Sequence, residues 1–362
     1  VAYQARQLGL AFNAVLGVIM SLFLSLGAGT ILSGVGVADA LMQPAKTYLQ
    51  IVGGFCILNA LIPICSSYLR AFGFSKEPLY ASIIGNVINF CLNAFFLFVL
   101  HKGVAGVATA TVISRIINLV IVVLLGAVLV KAKQHPERES NRAVMGQIIR
   151  IGLPSACETA IYNVSMTLVI RFLNQMDAQG LNVTARSYTM QITNFSYCVG
   201  AALAQANAIM TGWHIGAKEY DACDRGTKKA AVIGVIVAVI LETVFTLCSG
   251  WIMQLFSKDP QMVSLVGKLL AIDIVLEIGR VTNLVYGQAL KTSGDAVFPV
   301  VMGACFMILC SVGGTYLFGI RLGLLAVGAY IGMTGDECVR AVGMYLRWKS
   351  GKWKEKGLVK SR

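Results

Sequence analysis

The chain has 362 residues, of which 57% are hydrophobic and 13% charged, with a formal net charge of +13. Soluble domains carry about a quarter charged residues, so this composition and a mean hydropathy of +0.73 exclude an ordinary water-soluble protein. The ten Cys are scattered through apolar runs without a CxxC pair, and the three His lie in short polar connections, which excludes a disulfide framework and a helical HExxH-type metal site.

Ten apolar runs reach or approach the roughly 20 residues that cross a bilayer as helix: 8–33, 47–68, 79–100, 104–130, 151–173, 183–211, 229–255, 262–289, 298–319 and 322–346. The short alternating segments of a membrane β-barrel are absent, as are the amphipathic stripes of a large soluble helical protein. The expected fold class is therefore an all-α polytopic membrane protein. Its expected parts are a four-helix bundle over 1–130, a linker over 131–150, a six-helix bundle over 151–347 and a basic tail over 348–362.

Charge sets the orientation. With the 131–150 connection and the C-terminus in the cytoplasm, twenty of the 30 Lys and Arg fall on the inner side and five on the outer, as the positive-inside rule requires. The positive balance thus belongs to topology and to anionic lipid head groups. No nucleic-acid partner is expected, because the tail KSGKWKEKGLVKSR has no folded reader beside it.

An internal repeat underlies this order. LRAFGFSKEP (69–78) and LKTSGDAVFP (290–299) place Leu, a base, Gly and Pro at identical spacing: Leu69/Leu290, Arg70/Lys291, Gly73/Gly294 and Pro78/Pro299. Each Pro is followed by one apolar run, then KGVAGVATA (102–110) or RLGLLAVGA (321–329), then a final run. Spans 1–4 repeat as spans 7–10 in the same membrane direction, a parallel repeat of the kind transporters use. The polar turns themselves read as scaffold. Spans 5 and 6 have no counterpart ahead of span 1, so two further spans upstream are expected, making six plus six.

At this point the chain resembles the multidrug and toxic compound extrusion (MATE) family. The residues that carry the likeness are IGLPSACETAIYN (151–163), similar to the start of that family's seventh helix, and ALAQANAIMTGWHIGAKEYDAC (202–223), similar to its eighth helix and following loop. The paired LRAFGFSKEP and LKTSGDAVFP turns carry it too. The resemblance implies a MATE-type transporter fold of two helical bundles, with this chain as helices 3–12 of 12. It further implies an alternating-access antiporter in the cell membrane, driven by Na+ or H+ without another cofactor, that exports drugs or organic cations. It also implies that Glu158, which matches the seventh-helix acid, takes part in cation coupling. Some branches use acids on the first and fifth helices; span 3, the fifth in that scheme, has asparagines instead, which points to coupling in the second half.

Independently of any likeness, an ionisable group inside a bilayer is a functional candidate. The acidic ones are confined to spans 5–10, whereas spans 1–4 hold only Arg115. Asp273, Glu277 and Arg280 share one helical face at i, i+4 and i+7, either to carry a proton or cation or as a structural ion pair. Glu158 begins a mixed stripe through Tyr162, Ser165 and Val169. Asp336 and Arg340, at i and i+4, read mainly as a structural pair with Glu337 turned elsewhere. Glu242 has no evident partner, and Lys268 and Arg186 lie close enough to the outer edge to snorkel.

Two amide stripes, Asn86, Asn89 and Asn93 in span 3 and Gln191, Asn194, Cys198 and Gln205 in span 6, are either interhelical glue or substrate-cavity lining. With Tyr162 they are suited to flat cations through ring faces and hydrogen bonds. The expected protein is a monomeric transporter whose partners are the bilayer and a small-molecule substrate. The rival is a lipid-linked oligosaccharide flippase of the same superfamily, for which several bases lining the cleft are expected. An enzyme lacks a nucleophile–base or metal constellation to stand on.

Overall fold

A computed structural model describes residues 2–35, 39–130, 140–176 and 180–356; the statements below concern these residues. Every described element is helical, as hydrocarbon demands of a chain that must satisfy its own backbone polar groups. In order these are α1 (Ala2–Leu26), α2 (Ala28–Val35), α3 (Asp39–Gly54), α4 (Ile57–Ala71), α5 (Lys76–Ala94), α6 (Gly103–Leu129) and α7 (Asn141–Met176). They continue with α8 (Leu181–Gly216), α9 (Tyr220–Leu247), α10 (Ser249–Met253), α11 (Pro260–Thr292), α12 (Val297–Phe306) and α13 (Leu325–Lys349). Paired where they are broken, these helices coincide with the ten expected runs.

Five stretches are long and apolar enough to cross a membrane: Gln4–Leu26, Lys76–Val99, Gly103–Leu129, Tyr220–Leu247 and Val297–Arg321. A sixth is added if α3 and α4, bent by 41° between them, count as one span. Bulky side chains such as Phe90, Phe98, Leu247 and Leu309 stay exposed on these elements, which suits a hydrocarbon surround. The long helices outside this set, α7, α8, α11 and α13, carry most of the acids and bases singled out above, whereas Glu242 lies on α9, Arg115 on α6 and the Asn86 stripe on α5.

The chain divides into two units, Val1–Ile148 and Ile149–Arg362. In the first, α1, α3, α4 and α6 pack together with α5 on α6, around Cys65, Tyr68, Leu69, Ala81 and Val122. In the second, α11 is the central rod, packed against α8, α9 and α13. Its start is fixed by Asp259, whose carboxylate accepts from the Gln261 N–H at 3.0 Å, with Pro260 in the first turn, the preferred N-terminal chemistry. Two expected boundaries shift. The linker's last ten residues already belong to α7, and its 131–139 segment lies outside the described residues. The tail does not begin as a free anchor: Trp353, in a short 3-10 turn, is buried and stacks on Trp348 at 4.1 Å. The tail's last residues, 357–362, also lie outside the described residues.

The repeat recurs at atomic level. Gly73 and Gly294 both have left-handed backbones (φ 89° and 94°). The next N–H reaches back to the Leu69 carbonyl in one copy (3.0 Å, from Phe74) and to that of Leu290 in the other (2.9 Å, from Asp295), the same glycine-ended helix cap. Pro78 and Pro299 sit in the first turns of α5 and α12. Further on, each copy widens into a π-helical stretch, Phe95–Val99 and Thr315–Arg321, followed by two positive-φ residues, His101 and Gly103 in one copy and Gly323 and Leu325 in the other. The register there is one residue longer (323 − 101) than at the capping glycines (294 − 73). The second copy has an additional π-helical stretch, Met307–Val312, between those two points.

Candidate functional site

Four helices of the second unit enclose a cavity of about 510 Å³. α7 contributes Ser155, Glu158 and Tyr162; α8 contributes Tyr197; α11 contributes Arg280, Asn283 and Lys291; α13 contributes Glu337 and Arg340; and the π-helical stretch after α12 closes one side with Met307. The four helices lie outside the five apolar stretches, whereas Met307 belongs to one of them, Val297–Arg321.

The helices approach closely enough to bring their charges together. A Cβ on Gly279 of α11 would meet the Glu337 carbonyl carbon of α13 at 2.9 Å, so only glycine admits this approach. It brings Glu337 to Arg280 (3.8 Å), to Arg340 (2.9 Å) and to the Asn283 amide, which donates to Glu337 Oε2 at 3.0 Å. Glu337, expected to point elsewhere, is therefore the hub of the network. Its i+1 position turns it off the Asp336 face, but α11 lies on that side too.

Asp336 accepts two hydrogen bonds from Arg340, 2.8 and 3.0 Å, and one from the Ser311 hydroxyl at 3.0 Å. This bears the geometry of the structural pair expected from the spacing. Arg280 meets Glu277 at 3.2 Å and lies over the Tyr197 ring at 5.9 Å. Asp273 and Glu277 are fully buried, with carboxylate oxygens that lack hydrogen-bond partners. Glu242 of α9 is buried in the same state, both oxygens unmatched.

Glu158, the acid expected from both the residues and the family likeness, lines the cavity with Tyr162. Ser165 and Val169, further along its stripe, are buried instead. Its partner was missed: Lys291 Nζ lies 2.6 Å from Glu158 Oε2. The sequence places Lys291 in a scaffold turn, yet α11 runs to Thr292, and helical side chains lean toward the N-terminus. The ammonium thus reaches back into the cavity.

The amide stripes lie elsewhere. In the first unit, Asn89 donates to the Ser114 hydroxyl at 3.2 Å and accepts from Asn93 at 3.0 Å, so it joins α5 to α6, while Asn86 is exposed. Gln191 and Asn194 are exposed on α8 and do not line this cavity; Tyr197, one turn past Asn194, does. Arg186, expected to snorkel, is buried and donates to the Met166 sulfur at 3.6 Å. Near the start of α8, the Ala326 N–H at the start of α13 donates to Asn182 at 3.1 Å. Among the described residues no group of three or more His, Cys, Asp or Glu is arranged to hold a metal ion.

The MatE family model matches residues 1–95 and 154–317. An uncharacterised transporter of Bacillus subtilis, YisQ, is 32% identical over 99% of this chain and 80% of its own length. The probable multidrug resistance protein YoeA of the same organism is 22% identical over 97% of the chain and 77% of its length. A solved MATE structure in its bent conformation superposes with a TM-score of 0.82 at 18% identity, covering 98% of this chain and 82% of that one, which shows a shared fold.

Proposed function

Because this chain belongs to the MatE family of multi-pass membrane transporters, we propose that it is a cation-coupled exporter of drugs or organic cations working by alternating access. The observation that carries this reading is Glu158, an intramembrane carboxylate facing a cavity with the Tyr162 and Tyr197 rings. A carboxylate inside a bilayer is costly unless it is used, and ring faces suit flat cations. In this reading Na+ or H+ loads at Glu158, with Asp273 and Glu277 as the buried acids behind it, and favours the state that releases substrate outside. The exposed Gln191 and Asn194 extend the polar surface of α8 beyond Tyr197, and Asn86 offers a similar surface in the first unit. The chain acts as a monomer in the cell membrane with its C-terminus and the 131–150 connection in the cytoplasm.

The oligosaccharide-flippase alternative asks for bases free to hold a pyrophosphate. Arg280, Lys291 and Arg340 do line the cavity, but each lies within 3.2 Å of a carboxylate, which favours the cation reading. Proteoliposome efflux of a fluorescent organic cation under an imposed Na+ or H+ gradient tests it. Glu158→Gln should abolish efflux at normal expression; unchanged efflux would sink the assignment, and lipid scrambling without drug transport would favour the flippase.

A further inference from the structure

The cavity's three bases are held differently. Arg340 spans Asp336 and Glu337, and Arg280 spans Glu277 and Glu337. Lys291 forms its ion pair with one carboxylate, Glu158, at 2.6 Å, with both side chains less than a fifth exposed. Gly303 of α12 leaves room beside the Glu158 stem, since a Cβ built there would come only into ordinary contact with its Cγ at 3.4 Å. The partner of this carboxylate is a compact charge on a flexible four-carbon stem. The guanidinium groups are fixed forks; the ammonium can leave.

We propose that Lys291 is a tethered competitor for the coupling cation: its ammonium occupies Glu158 when no ion is bound, and the arriving ion displaces it into the cavity, where its charge expels an organic cation. This rests on the reading that Glu158 takes the coupling ion. The exchange balances: one positive charge joins the carboxylate, and one leaves it for the cavity. The empty carrier keeps a neutral pair at Glu158 and can reorient without a bare carboxylate in the membrane, which would be costly. Once the ion is bound, the freed ammonium adds to Arg280 and Arg340 on the same wall, opposed there by Glu337. Substrate and ion then bind alternative states of one site, and only such a difference in affinity lets an ion drive export.

The test compares wild type, Lys291→Gln, Lys291→Met, Lys291→Arg and Glu158→Gln in proteoliposomes, under whichever gradient drives the wild type. Loss of a charged hydrogen bond is worth about 1.5–3 kcal/mol, so Lys291→Gln and Lys291→Met should show an apparent affinity for the coupling ion raised by about tenfold or more. They should also retain organic cation with the ion bound, losing coupled efflux. Lys291→Arg, whose guanidinium can fork onto the Glu158 carboxylate and leaves it less readily, should lower the apparent ion affinity below that of wild type. A second readout needs no transport and only a folded Glu158→Gln protein. Its neutral amide mimics a filled site, so Lys291 should react faster with an amine-acylating reagent than in wild type at the same pH, measured by mass spectrometry. Unchanged ion affinity and substrate exclusion in the Lys291 variants, or unchanged Lys291 labelling in Glu158→Gln, would overturn the proposal. Full efflux by Glu158→Gln would instead overturn the underlying assignment of Glu158.

Discussion

Gly279 lies so close to Glu337 that a methyl group on the glycine would meet the glutamate's own carbonyl carbon at 2.9 Å. The contact is backbone on one side, so neither helix can yield by a rotamer change. Gly279→Ala should push α11 and α13 apart, at a cost of about 1–3 kcal/mol for overpacking. The lengthened Arg280–Glu337 pair, already 3.8 Å, would weaken with it. Thermal unfolding of the detergent-solubilised protein should fall, with reduced efflux; an unchanged midpoint would show that the approach is looser than described.

Asp336 and Ser311 separate a structural role from a transport role. Removing one charge of a buried pair costs about 3–5 kcal/mol, and Arg340 would keep its own charge beside Glu337. Asp336→Asn should therefore lower the yield of folded protein far more than Ser311→Ala, whose lost hydrogen bond is worth about 1 kcal/mol. Normalised to folded protein, drug efflux by Ser311→Ala should match wild type.

The tail offers a test outside the cavity. The Trp348 indole N–H donates to Asp224 at 2.8 Å, and Trp353 donates to the Trp348 carbonyl at 3.0 Å. Both rings are almost wholly buried, so Trp353→Ala should destabilise the second unit by about 3–5 kcal/mol.

Asn89 and Asn86 distinguish glue from lining. The Asn89–Ser114 bond should give a coupling energy of about 0.6 kcal/mol in a double-mutant cycle of unfolding, the mean for membrane hydrogen bonds. Asn86→Ala should leave stability unchanged, because its side chain is exposed. Equal effects from both would contradict the hydrogen bond described.

Much of this was legible because it is local. The matching turns announced themselves through Gly73, Gly294, Pro78 and Pro299, each demanded by backbone conformation, and through them the repeat and the span order. The acids of α7 and α11 stood out because hydrocarbon makes them costly. What stayed hidden depends on a second helix. Lys291 looked like part of a turn until α11 proved long enough to aim it inward. Glu337 looked misdirected until Gly279 brought α11 to its side, and Arg186 looked free to snorkel until the fold buried it.

The extra π-helical stretch in the second copy has a mechanical meaning. One residue added to an α-helix turns everything beyond it by about 100° and advances it by about 1.5 Å, which would unseat the next helix from its neighbours. A wide turn at Met307–Val312 absorbs the added residue as slack, so both copies end in the same double left-handed corner. The cavity wall has thereby gained a compliant joint at Met307 that its counterpart in the first copy lacks. Where the two repeats cease to be interchangeable is the very wall that faces Glu158.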